Sequence, residues 1–402
     1  MPTDGSSQAH TLPELAAEGA VGLLSVVSLT WRDAPGAVRG RLATPVEEDE
    51  RRSLKRQGAR GMAEVHTCAR STWIFSATEP GWVGALWQAQ TARRLGELYS
   101  SHDEEGRRSP LPALYVGEDA FRHVLRVAVG LESYVQGEAD IGGQVGRALE
   151  AARLAHRSDV VLNQLGQSVA RLVTRGRNEG FIRPNRGLGQ LAVERLTRMG
   201  ADLSRPVGVV GLGDIGRRVM ASLRRAGGAP PVAYNRSGRG EARPLGELAA
   251  GGHEALIVCT AGPEGWFEPP PGVRLLVDLG VPRQVGRYAG VRVGMDALLA
   301  GDPLCLPDER LRLSASAVEE ELGDLFERLR SVQVRRGLEG MNMLRDTFLA
   351  EELTALLGDA LDGLPLERRR RLVRAAESAI RRYNHLVLNQ VKQELTPVDE
   401  PR

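Results

Sequence analysis

Two groups of residues in this chain are of types that do chemistry. Cys68 stands in the string HTCARSTWIFSA, and Gly211, Gly213 and Gly216 form a GxGxxG loop much further along. A cysteine thiolate is a strong nucleophile that can take an acyl group as a thioester. A glycine loop that opens a helix can hold the pyrophosphate of a hydride-carrying dinucleotide. In one chain they point to a reductase that first captures an acyl group and then reduces it. Neither motif supports that reading alone.

The glycine loop has the context that a bare motif lacks. Gly211-Leu212-Gly213-Asp214-Ile215-Gly216 follows the strand-like PVGVVG and opens a helix predicted over Asp214–Ala226. Gly211 suits the tight turn, Gly213 the close approach of pyrophosphate, and Gly216 the packing of helix on strand. Asp214 and Ile215 fall at the helix start, whose unpaired N–H groups favour phosphate. At the end of the next strand stand Asn235, Arg236 and Ser237. A cation and a hydroxyl there suit a 2′-phosphate, so NADPH is expected rather than NADH. The alternative is a dinucleotide fold without its ligand.

Cys68 has a plainer alternative too, since lone cysteines are often inert core residues. Arg70, two residues on, could favour the thiolate. Cys259 lies in the apolar ALIVCTA and reads as core, and Cys305 as loop packing. His123, Ser133, Glu138 and Gln144 form a polar set on a segment that reads as a helix pair, where a lone histidine is usually a satisfied structural residue.

The elements that must position these groups follow from composition and pattern. With 402 residues, 42% hydrophobic and 26% charged, the chain has length for two or three domains and is not globally disordered. A net charge of +2 gives no general attraction to nucleic acid, so any such partner needs a local basic patch. Three cysteines without CxxC spacing argue against a disulfide framework or zinc site and for a reducing compartment. Neither a signal peptide nor a membrane-length apolar run is visible, so a cytoplasmic protein without membrane contact is expected.

VGLLSVVSLTW reads as a buried strand and EEDERRSLKRQ as a solvated helix. Strand-like Glu64–Cys68 and Ser71–Ser76 place Cys68 in or beside a turn between strands. Helices are predicted over Trp82–Leu98, Glu118–Ala155, Val160–Arg177 and Leu191–Met199, with SSHDEEGRRSPLP a loop and GFIRPNRGLG a linker. Ala255–Thr260 and Val273–Leu279 are spaced as strands of a parallel βα sheet. From Pro307 the chain reads as helix, with Leu311, Ala315, Val318, Leu322, Leu325, Leu329 and Val332 forming a heptad seam. Such a seam pairs either with a second subunit or with its own domain. Arg368–Arg371 with Arg374, Arg381 and Arg382 is either a phosphate-contacting face or a solvated helix surface.

At this point whole blocks resemble one family. HTCARSTWIFSA resembles the STCNR-plus-strand signature of glutamyl-tRNA reductases. RHVLRVAVGLESYVQGEADIGGQVGRALEAA resembles their long HLFRVAxGLDSxVLGExQILGQV block, RGRNEGFIR the stretch before the NADPH domain, and VDLGVPRQV their DIAVPRDV segment. The matches keep their order from Leu23 to Val332. The chain departs at His66 and Ala69, where the family has Ser and Asn, and its ending AIRRYNHLVLNQVKQEL is unlike the family's.

The pattern along the chain and the resemblance together give an α/β multidomain fold with these boundaries. These are a flexible N-terminus at 1–20, an N-terminal α+β catalytic and substrate domain at 21–157, and a connecting helix and linker at 158–190. A Rossmann-type NADPH domain at 191–300 and a C-terminal helical dimerisation domain at 301–402, in a V-shaped homodimer, complete it. The resemblance implies Cys68 and His123 as catalytic residues, and Thr67, Arg70, Ser133, Glu138 and Gln144 as the glutamate pocket. The implied reaction is reduction of glutamyl-tRNA(Glu) by NADPH, through a Cys68 thioester, to glutamate-1-semialdehyde. This is the first step of five-carbon tetrapyrrole (porphyrin) biosynthesis. A hand-off of the labile product to its aminotransferase is implied as well. Two other readings are a non-catalytic adaptor that binds dinucleotide or tRNA and a Rossmann oxidoreductase of a small free metabolite; the adaptor would not need Cys68, Arg70 and His123 together with an intact GxGxxG, and the oxidoreductase would need neither flanking domain.

Overall fold

The computed structural model describes residues 23–43, 45–100, 110–183, 187–300, 304–353, 357, 361 and 363–395. The flexible segment expected at 1–20 and most of the 100–112 loop lie outside the described residues. The described residues form two compact units, one up to Gly323 and one from Asp324 onward.

The first unit opens with an antiparallel sheet in the order β2-β3-β1-β4, built from β1 (Leu24–Thr30), β2 (Ala59–His66), β3 (Arg70–Ala77) and β4 (Ala113–Val116). Side chains alternate across a strand, so the register Val27↔Trp73 and Glu64↔Trp73 puts these three on one face. That face carries Leu29, Trp73 and Phe75 onto Val83, Trp87 and Leu95 of a helix, α3 (Pro80–Ser100), with α1 (Gly36–Leu42) and α2 (Glu48–Arg56) at its margin. Each such buried aromatic contributes about 1.5–3 kcal/mol. The opposite face carries Arg70, Thr72, Ile74 and Ser76 toward α4 (Glu118–Ala128), α5 (Asp140–Leu154) and α6 (Val160–Asn178). Helix α1, in the Pro- and Gly-bearing APGAVRGRL, and β4 were not expected from the sequence.

The predicted helix Glu118–Ala155 is interrupted, and the interruption is a closed loop. Gly130 and Gly137 both take left-handed φ values, +76° and +73°, and the Gly137 N–H donates to the Gly130 carbonyl at 3.2 Å. A Cβ on Gly137 would meet the Phe181 carbonyl at 2.5 Å, so no larger residue fits. Between the two glycines the chain presents Ser133, and the next residue is Glu138.

After α7 (Leu188–Arg198) comes a six-stranded parallel sheet in the order β10-β9-β8-β5-β6-β7. Its strands are β5 (Gly208–Val210), β6 (Val232–Asn235), β7 (Ala242–Pro244), β8 (Ala255–Val258), β9 (Leu275–Asp278) and β10 (Val291–Gly294). Counted within the sheet this is 6-5-4-1-2-3, the Rossmann order, with its switch point between β5 and β8. Helix α8 spans Asp214–Ala226, as the sequence predicts. Regular βα alternation does not hold: β6 to β9 are joined by 3₁₀ turns and irregular Gly- and Pro-rich segments. The short edge strands β7 and β10 were not foreseen.

A short helix α9 (Met295–Leu298) precedes α10 (Asp308–Thr347), and α11 spans Leu366–Leu395. The middle of the heptad seam is already buried in the single chain, with Val318, Leu322, Leu325 and Leu329 at most 3% exposed, whereas Leu311, Ala315 and Val332 are half-buried. The buried middle of the seam therefore gives no argument for a second subunit. None of the described helices is long and apolar enough to cross a membrane.

Candidate active site

Cys68 sits at the tip of the β2–β3 hairpin, and Thr67 builds that tip. The Thr67 N–H donates to the Arg70 carbonyl at 2.8 Å, while its hydroxyl oxygen accepts from the Ala69 and Arg70 N–H groups at 3.1 and 3.2 Å. Thr67 thus holds the turn through its acceptor lone pairs and keeps its O–H as a donor. The Trp31 N–H donates to the Ala69 carbonyl at 2.8 Å and fixes the turn to β1. His66 faces the other side of the sheet from Arg70, against Trp73, 3.5 Å from the Glu64 carboxylate. It does not stand in for the asparagine replaced by Ala69.

On balance the surroundings of the thiol disfavour its ionisation. Burial pushes Cys68 up to about 12, the nearby Glu138 carboxylate adds to the rise, and the cation opposing it is Arg39. Arg70, expected to favour the thiolate, is turned elsewhere. It is 1% exposed, one arm of its guanidinium donates to the Glu132 carbonyl, and Nη1 is buried without a hydrogen-bond partner. An uncommitted buried guanidinium nitrogen is costly unless a ligand completes it, and a carboxylate does so well.

His123 belongs to the Arg70 group, not to the thiol. Its ring stacks on Tyr115, centroids 3.9 Å apart and planes at 13°, and Nε2 is buried and unpaired. Burial, with the Arg70 charge, lowers it to about 4, so the ring is neutral at neutral pH. Among the described residues it makes no hydrogen bond to Cys68. Ser133 hydrogen-bonds Glu138, whose pKa burial raises to about 6. Gln144 is half-buried on α5 with no hydrogen bond to the others among the described residues. The structure thus gathers Arg70, His123, Ser133 and Glu138 in one neighbourhood, with the Glu138 carboxylate acting on both Arg70 and Cys68.

The glycine loop fits a dinucleotide. Gly211 has φ +97°, and a Cβ there would meet the Cys259 carbonyl at 2.8 Å. A Cβ on Gly216 would lie 1.9 Å from the Gly211 carbonyl oxygen, whereas one on Gly213 would meet nothing within 4 Å. Space is therefore kept open at Gly213, at the N-terminus of α8, where phosphates bind. Asp214 is paired with Arg217 in the first turn, and Ile215 packs on the core. Asn235 is used internally: its amide oxygen accepts from the Ser237 and Arg239 N–H groups at 3.1 and 3.3 Å. Arg236 and Ser237 are left exposed on this turn. Cys259 is a core residue under the loop, its thiol raised by burial, and Cys305 is exposed.

Further contacts position these groups, the Asp140–Arg218 pair without a sequence signal and those of VDLGVPRQV within a block already singled out. Asp140, at the start of α5, pairs with Arg218 on α8. A Cβ on Gly187 would lie 3.7 Å from Asp140 and 3.9 Å from the Glu138 carboxylate, so both acids border the start of α7, which leads into the parallel sheet. In VDLGVPRQV, buried Asp278 accepts from the N–H groups of Gly280, Gln284 and Val285 at 2.9–3.0 Å. Gln284, also buried, takes the Trp266 indole N–H at 2.8 Å and donates to the Gly262 and Pro282 carbonyls. This block fixes a loop. One apolar cluster spans the parallel sheet and packs against Cys68, Ala69 and Trp31 as well as Leu212 and Ile215 of the glycine loop. The two motifs first seen apart in sequence thus share one core.

Comparison with known proteins places the sequence in one family. Residues 27–180 match the family described as glutamyl-tRNAGlu reductase, N-terminal domain. The glutamyl-tRNA reductase of Thermomicrobium roseum is 34% identical over 310 residues, covering 70% of this chain and 73% of the relative. That of Salinispora tropica is 30% identical over 418 residues, covering 92% of this chain and 88% of the relative. A solved structure, the glutamyl-tRNA reductase from Methanopyrus kandleri, aligns over 93% of this chain and 99% of that one at 22% identity, TM-score 0.47.

Proposed function

This chain belongs to the glutamyl-tRNA reductase family, and from that premise we propose that it reduces glutamyl-tRNA(Glu) to glutamate-1-semialdehyde with NADPH. The observation that carries the reading is the shared core beneath Cys68 and the glycine loop. A binding module has no need of a cysteine turn packed against a dinucleotide fold, and a small-metabolite oxidoreductase has no need of the N-terminal sheet.

The Cys68 sulfur, as thiolate, attacks the carbonyl carbon of the ester that joins glutamate to the tRNA ribose. The C–O bond breaks, the ribose oxygen takes a proton, and glutamate stays on the enzyme as a thioester. Arg70, through its uncommitted Nη1, holds the glutamate carboxylate. His123, neutral and with a free buried Nε2, completes the polar wall. An analogue lacking the carboxylate leaves these groups unpaired and is rejected. Gly211–Gly216 and Arg236 would hold NADPH, which would supply the hydride for the thioester carbon; the C–S bond then breaks, the aldehyde leaves and Cys68 returns as thiolate. Release of the labile aldehyde to its aminotransferase follows from the same reading.

The second copy of a homodimer sits on α11, not on the α10 seam. Leu372, Tyr383 and Leu386 are 50–72% exposed and, with Ala379, follow heptad spacing on that helix. The test of the activity is NADPH oxidation on adding glutamyl-tRNA, with the semialdehyde identified as product. Oxidation driven by a free metabolite, or none despite bound NADPH, rejects the proposal.

A further inference from the structure

Arg39 is among the largest fully buried side chains of the protein, 1% exposed, on the inward stripe of α1 with Gly36 and Leu42. It donates to the Ala34 carbonyl, and its Nη2 donates to the Cys68 carbonyl at 2.8 Å. The same Nη2 lies 3.9 Å from the Asp296 carboxylate of α9, in the dinucleotide domain. Asp296 in turn accepts from the Gly36 N–H at 2.7 Å. Helix α1 is docked on that domain at a second point: a Cβ on Gly40 would lie 3.2 Å from Val281 and 3.3 Å from the Pro282 nitrogen. A chain of contacts therefore runs from the dinucleotide domain through α1 to the backbone of the cysteine.

We propose that Arg39, held by Asp296, is a positioning residue that sets the Cys68 turn against the dinucleotide domain and supplies the positive charge that favours the thiolate. The proposal rests on the thioester reading above. The charged groups facing Cys68 are Arg39 from α1, Glu138 from the loop before α5 and Asp140 from the start of α5. Both acids oppose ionisation, so the arginine is the one cation among these that offsets them. Arg39 itself faces Asp296, Asp33 and Tyr99 besides Cys68. A lysine there keeps the charge but not the planar fork that reaches the Ala34 and Cys68 carbonyls together.

The test uses the full-length protein and two readouts. The first is iodoacetamide alkylation of the Cys68 peptide between pH 7 and 10, which needs neither tRNA nor NADPH. Arg39→Met is expected to alkylate about tenfold more slowly across this range, one pKa unit of lost thiolate stabilisation, and Arg39→Lys to recover most of the rate. The second is single-turnover transfer from glutamyl-tRNA, followed by addition of NADPH. Asp296→Asn, at an exposed side chain that keeps its bond to Gly36, carries the test if Arg39→Met does not fold. It is expected to leave alkylation and acyl transfer within about twofold of wild type and to slow reduction about fivefold, the most an exposed ion pair usually gives. Superimposable alkylation profiles for Arg39→Met and wild type overturn the proposal, as does an Asp296→Asn protein whose two steps are both unchanged or equally slowed. Absence of acyl transfer in the wild type defeats the thioester reading, while the alkylation result still decides whether Arg39 acts on Cys68.

Discussion

Replacing Glu138 by glutamine is expected to stabilise the protein at alkaline pH while impairing its site. Burial raises the Glu138 carboxyl from 4.5 to about 6. A group whose folded pKa is raised stabilises the fold fully below its unfolded value and loses that contribution as pH rises through the folded one. At pH 8 the native state therefore carries an ionised carboxylate in a place that disfavours it. The difference of roughly 1.5 units corresponds to about 2 kcal/mol, which partial exposure reduces to about 1–2 kcal/mol. Glutamine is neutral throughout and keeps a partner for Ser133. Urea unfolding followed by tryptophan fluorescence reads the right region, since of the five tryptophans Trp73, Trp82 and Trp87 lie in the N-terminal sheet and its helices and Trp31 directly follows β1. Glu138→Gln should match wild type at pH 4.5 and exceed it by about 1–2 kcal/mol at pH 8. His123, lowered from 6.5 to about 4, destabilises both proteins as pH falls below 6.5, so the comparison is made at each pH separately. A variant no more stable than wild type at pH 8 refutes the argument.

Gly216→Ala places a Cβ 1.9 Å from the Gly211 carbonyl oxygen; at least about 1–3 kcal/mol of destabilisation is expected, with NADPH titration showing binding at least about tenfold weaker. Arg236→Gln is expected to weaken NADPH about 10- to 100-fold and leave NADH unchanged, the loss of one charge-assisted hydrogen bond of about 1.5–3 kcal/mol. Equal loss for both cofactors counts against a 2′-phosphate site. Tyr383→Glu with Leu386→Glu is expected to give monomers in light scattering at unchanged helical content, whereas Leu372→Ala should weaken association only modestly.

The glycine loop was legible because its signal is local: three glycines, a strand before and a helix after determine one geometry. The α8 bounds were equally readable, from Asp214 in the first turn to Gly227 just past the end. Strands β7 and β10 were missed because three or four residues carry no resolvable period. Helix α1 was missed because proline and two glycines weaken its propensity; its reason to exist is tertiary, the buried Arg39. No local pattern marks that arginine, because its partners lie 29 and 257 positions away at Cys68 and Asp296. The heptad seam shows the opposite limit: spacing announces an apolar stripe but not whether the chain's own residues or another copy's cover it. His66 could have been placed by strand alternation, since an even step from Glu64 puts it on the Trp73 face. Thr67 and Asn235 read as ligand contacts, yet short polar side chains in turns commonly bond their own backbone.

The most direct test of the thioester account is a single-turnover incubation of glutamyl-tRNA, labelled in glutamate, with wild type and Cys68→Ser, first without and then with NADPH. The account expects label on the wild-type Cys68 peptide without NADPH, its release as semialdehyde when NADPH is added, and no label on Cys68→Ser. Semialdehyde formed by Cys68→Ser at the wild-type rate, or wild type that binds NADPH and never takes label, would contradict it.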